Sequence, residues 1–201
     1  MAKGVIIIIS GPSGSGKGTV VRALAAKDPQ YALSVSMTTR TKRPQDIDGV
    51  EYLFVSEEEF KRYRDSDQFL EHAQFVGNLY GTPRFYVEEQ VAKGKTVLLE
   101  IEVNGALQVK ERYPECVLIF LMPPNFDELK RRLISRGTED MVTIENRVIR
   151  ARDEIKLINA YDYLVINDEV ESAVESIGRI VYAESLRPAR QEDVVNGYIT
   201  E

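Results

Sequence analysis

Residues 5–19 constrain this chain more than any other stretch. Val5-Ile6-Ile7-Ile8-Ile9 is a continuous apolar run rich in β-branched side chains, the composition of a strand buried on both faces. It passes directly into Ser10-Gly11-Pro12-Ser13-Gly14-Ser15-Gly16-Lys17-Gly18-Thr19. Beyond that loop, Val20, Val21, Leu24 and Ala25 fall at helical spacing, and Pro29 sets the far limit of the helix. Strand, glycine loop and helix start, in that order, make a phosphate-binding P-loop. Glycines let the backbone curl with its N–H groups inward, and the positive end of the helix dipole adds to their pull on anionic oxygens. Residues Gly11 to Thr19 are therefore the candidate nucleotide-phosphate site, with Lys17 exposed toward the outer phosphates. A mobile Gly/Ser turn would share the composition but not the strand before it and the helix after it.

The strict P-loop pattern places Ser or Thr directly after the lysine. Here that residue is Gly18, and Thr19 follows. The hydroxyl that would ligate magnesium is displaced or missing, so Mg²⁺ is expected to be held mainly by nucleotide phosphates and water, with no protein ligand assigned. Gly-Lys-Gly-Thr at this place resembles nucleoside monophosphate kinases.

Composition narrows the class. The chain has 201 residues, 43% of them hydrophobic, enough for one domain with a full core and a smaller appended lobe. A net charge of −6 argues against a general nucleic-acid or membrane binder. Basic residues gather locally instead, at Arg40-Thr41-Lys42-Arg43 and between Lys130 and Arg152, as small anionic ligands require. Cys116 is the one cysteine, which excludes an internal disulfide; it sits in an apolar run and reads as core. His72 is the one histidine, too few for a His-rich metal site. Five apolar N-terminal residues are too short for a signal peptide or a membrane span. A soluble cytoplasmic protein is expected.

Further on, Leu33-Ser34-Val35-Ser36 reads as a second core strand. Residues 37–54 then lack helical periodicity, are dense in Arg, Thr and Asp, and carry a turn signal at Asp48-Gly49. Taken alone, this is a solvated basic loop followed by an edge strand. Its spacing, however, Thr38-Thr39-Arg40-x-x-Arg43-x-x-Asp46-x-x-Gly49-x-x-Tyr52-x-Phe54, resembles the signature of guanylate kinases with every fixed position filled. Ser56 and Glu59 form a capping box, and 69–75 alternates as a strand. Gly77 to Pro83 looks like the family's stretch closing the monophosphate lobe. Thr82 and Pro83 suit the N-cap and N1 of a helix that Gly94 stops. A strand over 96–102 ends in Glu100 and Glu102, where relatives more often carry Asp. Val117–Leu121 is a third apolar strand, and Asn125 with Glu128 caps the next helix. Arg136-Gly137-Thr138 with Arg147 and Arg150 is similar to the guanylate kinase lid, while Lys130 and Arg131 read as a solvated helix face. Tyr163–Ile166 is the last core strand, and Asn167-Asp168 matches the family's adenine-side loop. A helix is expected over 170–186, and 188–201 carries no signal. The resemblance covers residues 5 to about 185.

Strands alternating with helices imply an α/β fold: a five-stranded parallel core sheet flanked by helices with right-handed crossovers. A mixed α+β monophosphate-binding lobe and a helical lid complete it. The expected division of the single domain is core 1–36, 83–134 and 148–201, lobe 37–82 and lid 135–147.

The resemblance implies a guanylate kinase that moves the γ-phosphoryl of ATP, with Mg²⁺, to GMP and dGMP. It implies that Arg40, Arg43, Tyr52 and Tyr80 hold the GMP phosphate, and guanidinium and phenol donors suit that task. It assigns Ser36, Glu71 and Thr82 to guanine, with Glu100 nearby. Lys17, Arg40, Arg136 and Arg147 would serve the transferred phosphoryl, and Asn167 the adenine side. Phosphoryl transfer relies on positioning and charge neutralisation, and a monophosphate acceptor with a second pKa of about 6 needs no general base. None is evident in the sequence. Partners are GMP and ATP, with neither nucleic acid nor membrane; a homodimer stays open. Two other classes stay open as well. A guanylate-kinase-like interaction module would fail to bind ATP, and a P-loop kinase of another nucleotide would separate in an acceptor screen.

Overall fold

The apolar run at the N-terminus becomes the middle strand of the molecule. A computed structural model describes residues 4–44, 46–75, 77–135 and 140–199. In chain order its elements are β1 (Val5–Ser10), α1 (Lys17–Lys27), β2 (Tyr31–Leu33), β3 (Met37–Thr38), β4 (Leu53–Phe54), α2 (Glu57–Asp65), β5 (Phe69–Phe75), β6 (Asn78–Pro83) and α3 (Arg84–Ala92). There follow β7 (Thr96–Glu100), α4 (Val103–Arg112), β8 (Val117–Met122), α5 (Phe126–Ser135), α6 (Met141–Ile155), β9 (Tyr163–Ile166), α7 (Val170–Ser185) and α8 (Glu192–Ile199).

Five strands form one parallel sheet in the order β2-β7-β1-β8-β9. Side chains of β1 alternate between its two faces. Ile7 and Ile9 join Val20, Leu24, Ala173 and Ile177 of α1 and α7. Ile6 and Ile8 join Val87, Ala106 and Val109 of α3 and α4. Full burial of each such side chain stabilises by about 1.5–3 kcal/mol, so β1 ties the helices of both faces to one sheet. The carboxyl ends of β1, β7, β8 and β9 lie along one edge, where open α/β sheets take their ligands. The glycine loop, Glu100 and Asn167 all fall there.

A second, four-stranded sheet has the order β4-β3-β6-β5, with β3 and β4 parallel and the other pairs antiparallel. Phe60 of α2 packs with Met37 and Phe69 to give it a small core of its own. α4 packs against β5 and so joins the two sheets.

Several local expectations are met. Ser56 Oγ accepts from the Glu59 N–H at 3.1 Å, and Asn125 Oδ1 from the Glu128 N–H at 2.8 Å. Gly94 ends α3 in the left-handed region at φ 78°. Cys116 is buried, and burial pushes its thiol up to about 11.

Three expectations are corrected. The second core strand is Tyr31–Leu33, not 33–36. The Ser34 N–H still bonds to the Leu98 carbonyl, but the Ser36 carbonyl already accepts from Leu53; the chain is crossing between sheets over these residues. Thr82 is not a helix N-cap. β6 continues to Pro83, which precedes α3, and the Thr82 hydroxyl is engaged elsewhere. The strand expected over 96–102 ends at Glu100, because Glu102 already takes the N-cap position of α4. The C-terminal stretch, which carries no signal in the sequence, holds a 3₁₀ turn over Pro188–Arg190 and then α8, whose Val194, Val195, Tyr198 and Ile199 are exposed. Among the described residues no helix is long and apolar enough to cross a membrane.

Candidate active site

β1 delivers the chain to Gly11, where φ is +142° and a side chain would run into the Leu121 carbonyl. Only glycine fits that approach. The Ser15 N–H closes the turn onto the Pro12 carbonyl at 3.1 Å. Gly16, at φ +89°, precedes α1, and no side chain caps the helix. The donors of its first turn are left to a ligand.

Lys17 departs from the expectation of an exposed lysine. It is 9% exposed, and its Nζ donates to the Gly11 carbonyl at 2.6 Å and the Pro12 carbonyl at 3.3 Å. The ammonium is held inside the curl of its own loop by these two carbonyls. Thr19 is exposed on α1. Asn167 is buried against the same loop, its Nδ2 donating to the Ser15 carbonyl at 2.7 Å. Its Oδ1 is buried with no hydrogen-bond partner among the described residues. Arg132 fixes the segment by donating to the Asn167 carbonyl at 2.9 Å while Glu128 holds its other side at 2.6 Å. From α6, Arg147 donates to Ser13 Oγ at 2.7 Å. The loop, Asn167 and the arginine-bearing α6 thus converge. Arg136 lies outside the described residues.

The second sheet carries a different kind of site. Arg40 donates to Asp46 at 2.8 Å and lies 5.4 Å from the ring centres of both Tyr52 and Phe54. Tyr52 meets Tyr80 edge-on at 5.8 Å. Burial, then the proximity of Tyr80 and Glu100, holds the Tyr52 phenol above its ordinary value. The Arg43 backbone N–H and the Arg40 guanidinium keep the Asp46 carboxyl below the usual range. Asp46 is the organising residue that the signature contained without assigning it a role. Arg43 contributes that N–H while its side chain is exposed.

Glu71 is 7% exposed and accepts from Thr82 Oγ1 at 2.7 Å. Burial pushes its carboxyl up to about 7, against the pull of Thr82, with Glu102 adding to the rise. α4 comes close because residue 105 is glycine; a Cβ there would stand 2.9 Å from Glu71 Oε2. Gly105, unassigned in the sequence, was signalled only by its odd place inside a helix. Ser36 is half-buried and, among the described residues, its hydroxyl makes no hydrogen bond to the Glu71–Thr82 pair. A third group sits between the two sites. Arg150 of α6 lies 2.9 Å from Glu154 and 3.6 Å from Glu102. Glu154 is buried, and burial followed by Glu102 raises its carboxyl pKa. Glu154 carried no sequence signal beyond its place on a basic helix.

The arrangement can bind two anions at once. One would lie on backbone donors at a helix start, the other on an arginine and two tyrosines, with a buried acceptor beyond it for a donor-rich group.

A sequence profile for guanylate kinase matches residues 3–184. The chain is 52% identical over 188 residues to a guanylate kinase of Oceanobacillus iheyensis, spanning 94% of this chain and 91% of that one. It is 48% identical over 200 residues to a guanylate kinase of Latilactobacillus sakei, spanning 99% and 98% of the two chains. A crystal structure of guanylate kinase from Anaplasma phagocytophilum superposes with a TM-score of 0.77 at 36% identity, over 94% of this chain and 90% of that one.

Proposed function

This chain belongs to the guanylate kinase family, and from that premise we propose that it transfers the γ-phosphoryl group of MgATP to GMP, and more weakly to dGMP, giving ADP and GDP. Gly11 to Thr19 would hold the ATP phosphates, with Lys17 at the transferred group and Asn167 on the adenine side. Arg40, Tyr52 and Tyr80, with Arg43 from the rim, would hold the GMP phosphate. Arg136 and Arg147 would close over the reacting phosphoryl from a lid spanning 135–147. Phosphate oxygens and water supply most of the magnesium shell in such sites.

The observation that carries the reading is the buried Glu71 carboxylate paired with Thr82. Guanine presents N1–H and an N2 amino group side by side, two donors that one carboxylate accepts together. Adenine offers an acceptor at N1 and no N2 amine, and would leave a buried charge unpaired. No general base is required of the chain, because the acceptor phosphate is already mainly dianionic above about pH 6. The reading extends to a cytoplasmic enzyme of purine nucleotide metabolism, consistent with a single buried thiol. A coupled ADP-release assay across AMP, GMP, CMP and UMP tests it, with GMP expected as the acceptor. Equal rates with AMP and GMP would overturn the assignment.

A further inference from the structure

Two arginines of α6, neighbours on the helix face at i and i+3, serve different partners. Arg147 donates to Ser13 Oγ of the phosphate loop at 2.7 Å. Arg150 turns to carboxylates, with its Nε 2.9 Å from Glu154 Oε1 and its Nη2 3.6 Å from Glu102 Oε2. Glu102 stands at the start of α4, the helix whose Gly105 lets it approach Glu71. We infer that Arg150, although it lies on the lid-side helix, is a positioning residue for GMP and not for ATP: its guanidinium holds Glu102 and Glu154 together between α4 and α6, and so offsets the negative charge beside Glu71. This rests on the proposed role of Glu71 as the acceptor for guanine.

An arginine and a glutamate four residues apart on an exposed helix contribute little, because water screens the pair. The present pair differs in two respects. The Glu154 side chain is only 11% exposed, and a buried carboxylate deprived of its cation is costly. The third member of the group comes from another helix, so the cation ties two elements and not merely one turn. Burial raises the Glu154 carboxyl pKa and Glu102 raises it further, while Arg150 and then Lys17 pull it down. Burial likewise raises Glu71, with Glu102 adding to the rise. Glu102 is thus the common neighbour of both buried acids, and Arg150 lies between it and one of them. Glu71 has to be ionised to accept two guanine donors, so a cation that offsets Glu102 favours the binding form. The competing role is contact with the transferred phosphoryl, as proposed for Arg147. That role would appear in MgATP affinity or in kcat, with GMP affinity little changed.

Calorimetric titration of the full chain with GMP alone, and separately with MgATP alone, distinguishes the two roles. The proteins are wild type, Arg150→Ala, Arg150→Lys, Glu102→Gln and the double variant Arg150→Ala/Glu102→Gln, each checked for folding by thermal unfolding. Arg150→Ala is expected to weaken GMP about tenfold and to leave MgATP within about threefold of wild type. Arg150→Lys keeps the charge without the planar fork and should lose less than about threefold for GMP. In the Glu102→Gln background, where the charge to be offset is gone, Arg150→Ala should cost GMP less than about threefold. If Arg150→Ala does not fold, Arg150→Gln replaces it with the same expectations. A residue that only supports the packing of α6 would give the same loss in both backgrounds and no rescue by lysine; either result would overturn the inference. So would unchanged GMP affinity, or a loss for MgATP as large as that for GMP. Wild type that fails to bind GMP would instead bring down the proposed function itself, and the inference with it.

Discussion

The two anion sites are built on opposite principles. The loop proposed for ATP is a contiguous stretch of ten residues, Ser10 to Thr19, whose proposed donors are backbone N–H groups, set between β1 and α1 with Gly11 against the Leu121 carbonyl. The side proposed for GMP draws Glu71 from β5, Tyr80 and Thr82 from β6, and Arg40, Asp46 and Tyr52 from the stretch between β3 and β4. It is held by side-chain pairs over a small core of Met37, Phe60 and Phe69. A backbone site recognises phosphate, which every nucleotide has. A side-chain site can tell one base from another, because its buried groups go unpaired when the wrong base enters. Discrimination should therefore reside in the second sheet, and rate at the loop.

The largest effect expected of this division is acceptor choice. Wild type should phosphorylate GMP faster than AMP by about 10⁴ in kcat/KM, measured in the coupled assay. Glu71→Gln should lower GMP turnover sharply and narrow that ratio; an unchanged ratio would mean that base reading does not reside at Glu71.

Next in size is the loop lysine. Lys17→Ala should lose about a thousandfold or more in kcat while circular dichroism stays unchanged, because the proposed role of the ammonium is at the phosphates and its hydrogen bonds go to the carbonyls of its own loop. Near-normal turnover in a folded variant would break the assignment of rate to the loop. The lid arginines follow. Arg136→Ala and Arg147→Ala should each lose about a hundredfold in kcat with little change in KM for ATP, since charge neutralisation in the closed, reacting complex appears in kcat. A change confined to KM would mark them as ground-state contacts.

The pH response sharpens the contrast further. Glu71 titrates near 7 in the folded chain and must be ionised to accept two guanine donors. As pH falls from 8 to 6, KM for GMP should rise, approaching tenfold per unit below the pKa, while KM for ATP stays nearly flat. Glu71→Gln should remove that part of the GMP profile. Stability runs the other way. A carboxyl raised above its unfolded value stabilises the fold below about 4.5, and the contribution is lost as pH rises through about 7. Glu71→Gln should therefore make the ligand-free chain more stable at pH 8, by roughly 2–3 kcal/mol in denaturant titration, even as it weakens GMP binding. A variant less stable at pH 8 would show that the carboxylate is compensated by its surroundings. The smallest effect belongs to Gly105→Ala. A Cβ 2.9 Å from Glu71 Oε2 should raise KM for GMP severalfold while overall stability moves by less than about 1 kcal/mol, the helix gain offsetting the crowding.

Much of this molecule is legible in one dimension, wherever contacts are local. The strand Val5–Ser10, the loop curl at Gly11 and the start of α1 follow from adjacent residues, and so do the caps at Ser56 and Asn125. The alternation over Phe69–Phe75 is equally local, and the observed strand matches it. The tertiary structure decided whatever depended on a partner far along the chain. Thr82 reads as a helix cap from its neighbours, yet its hydroxyl goes to Glu71, eleven residues earlier, because antiparallel β5 and β6 place the two side by side. Lys17 reads as exposed, but the loop's own carbonyls fold around it. Gly105 and Gly18 look like ordinary glycines until the carboxylates of Glu71 and Glu100 arrive beside them. Sequence pattern records which face of an element is apolar. The distance between two carboxylates, or between a carboxylate and a missing side chain, is set by how strands register and helices pack, and no local pattern carries it.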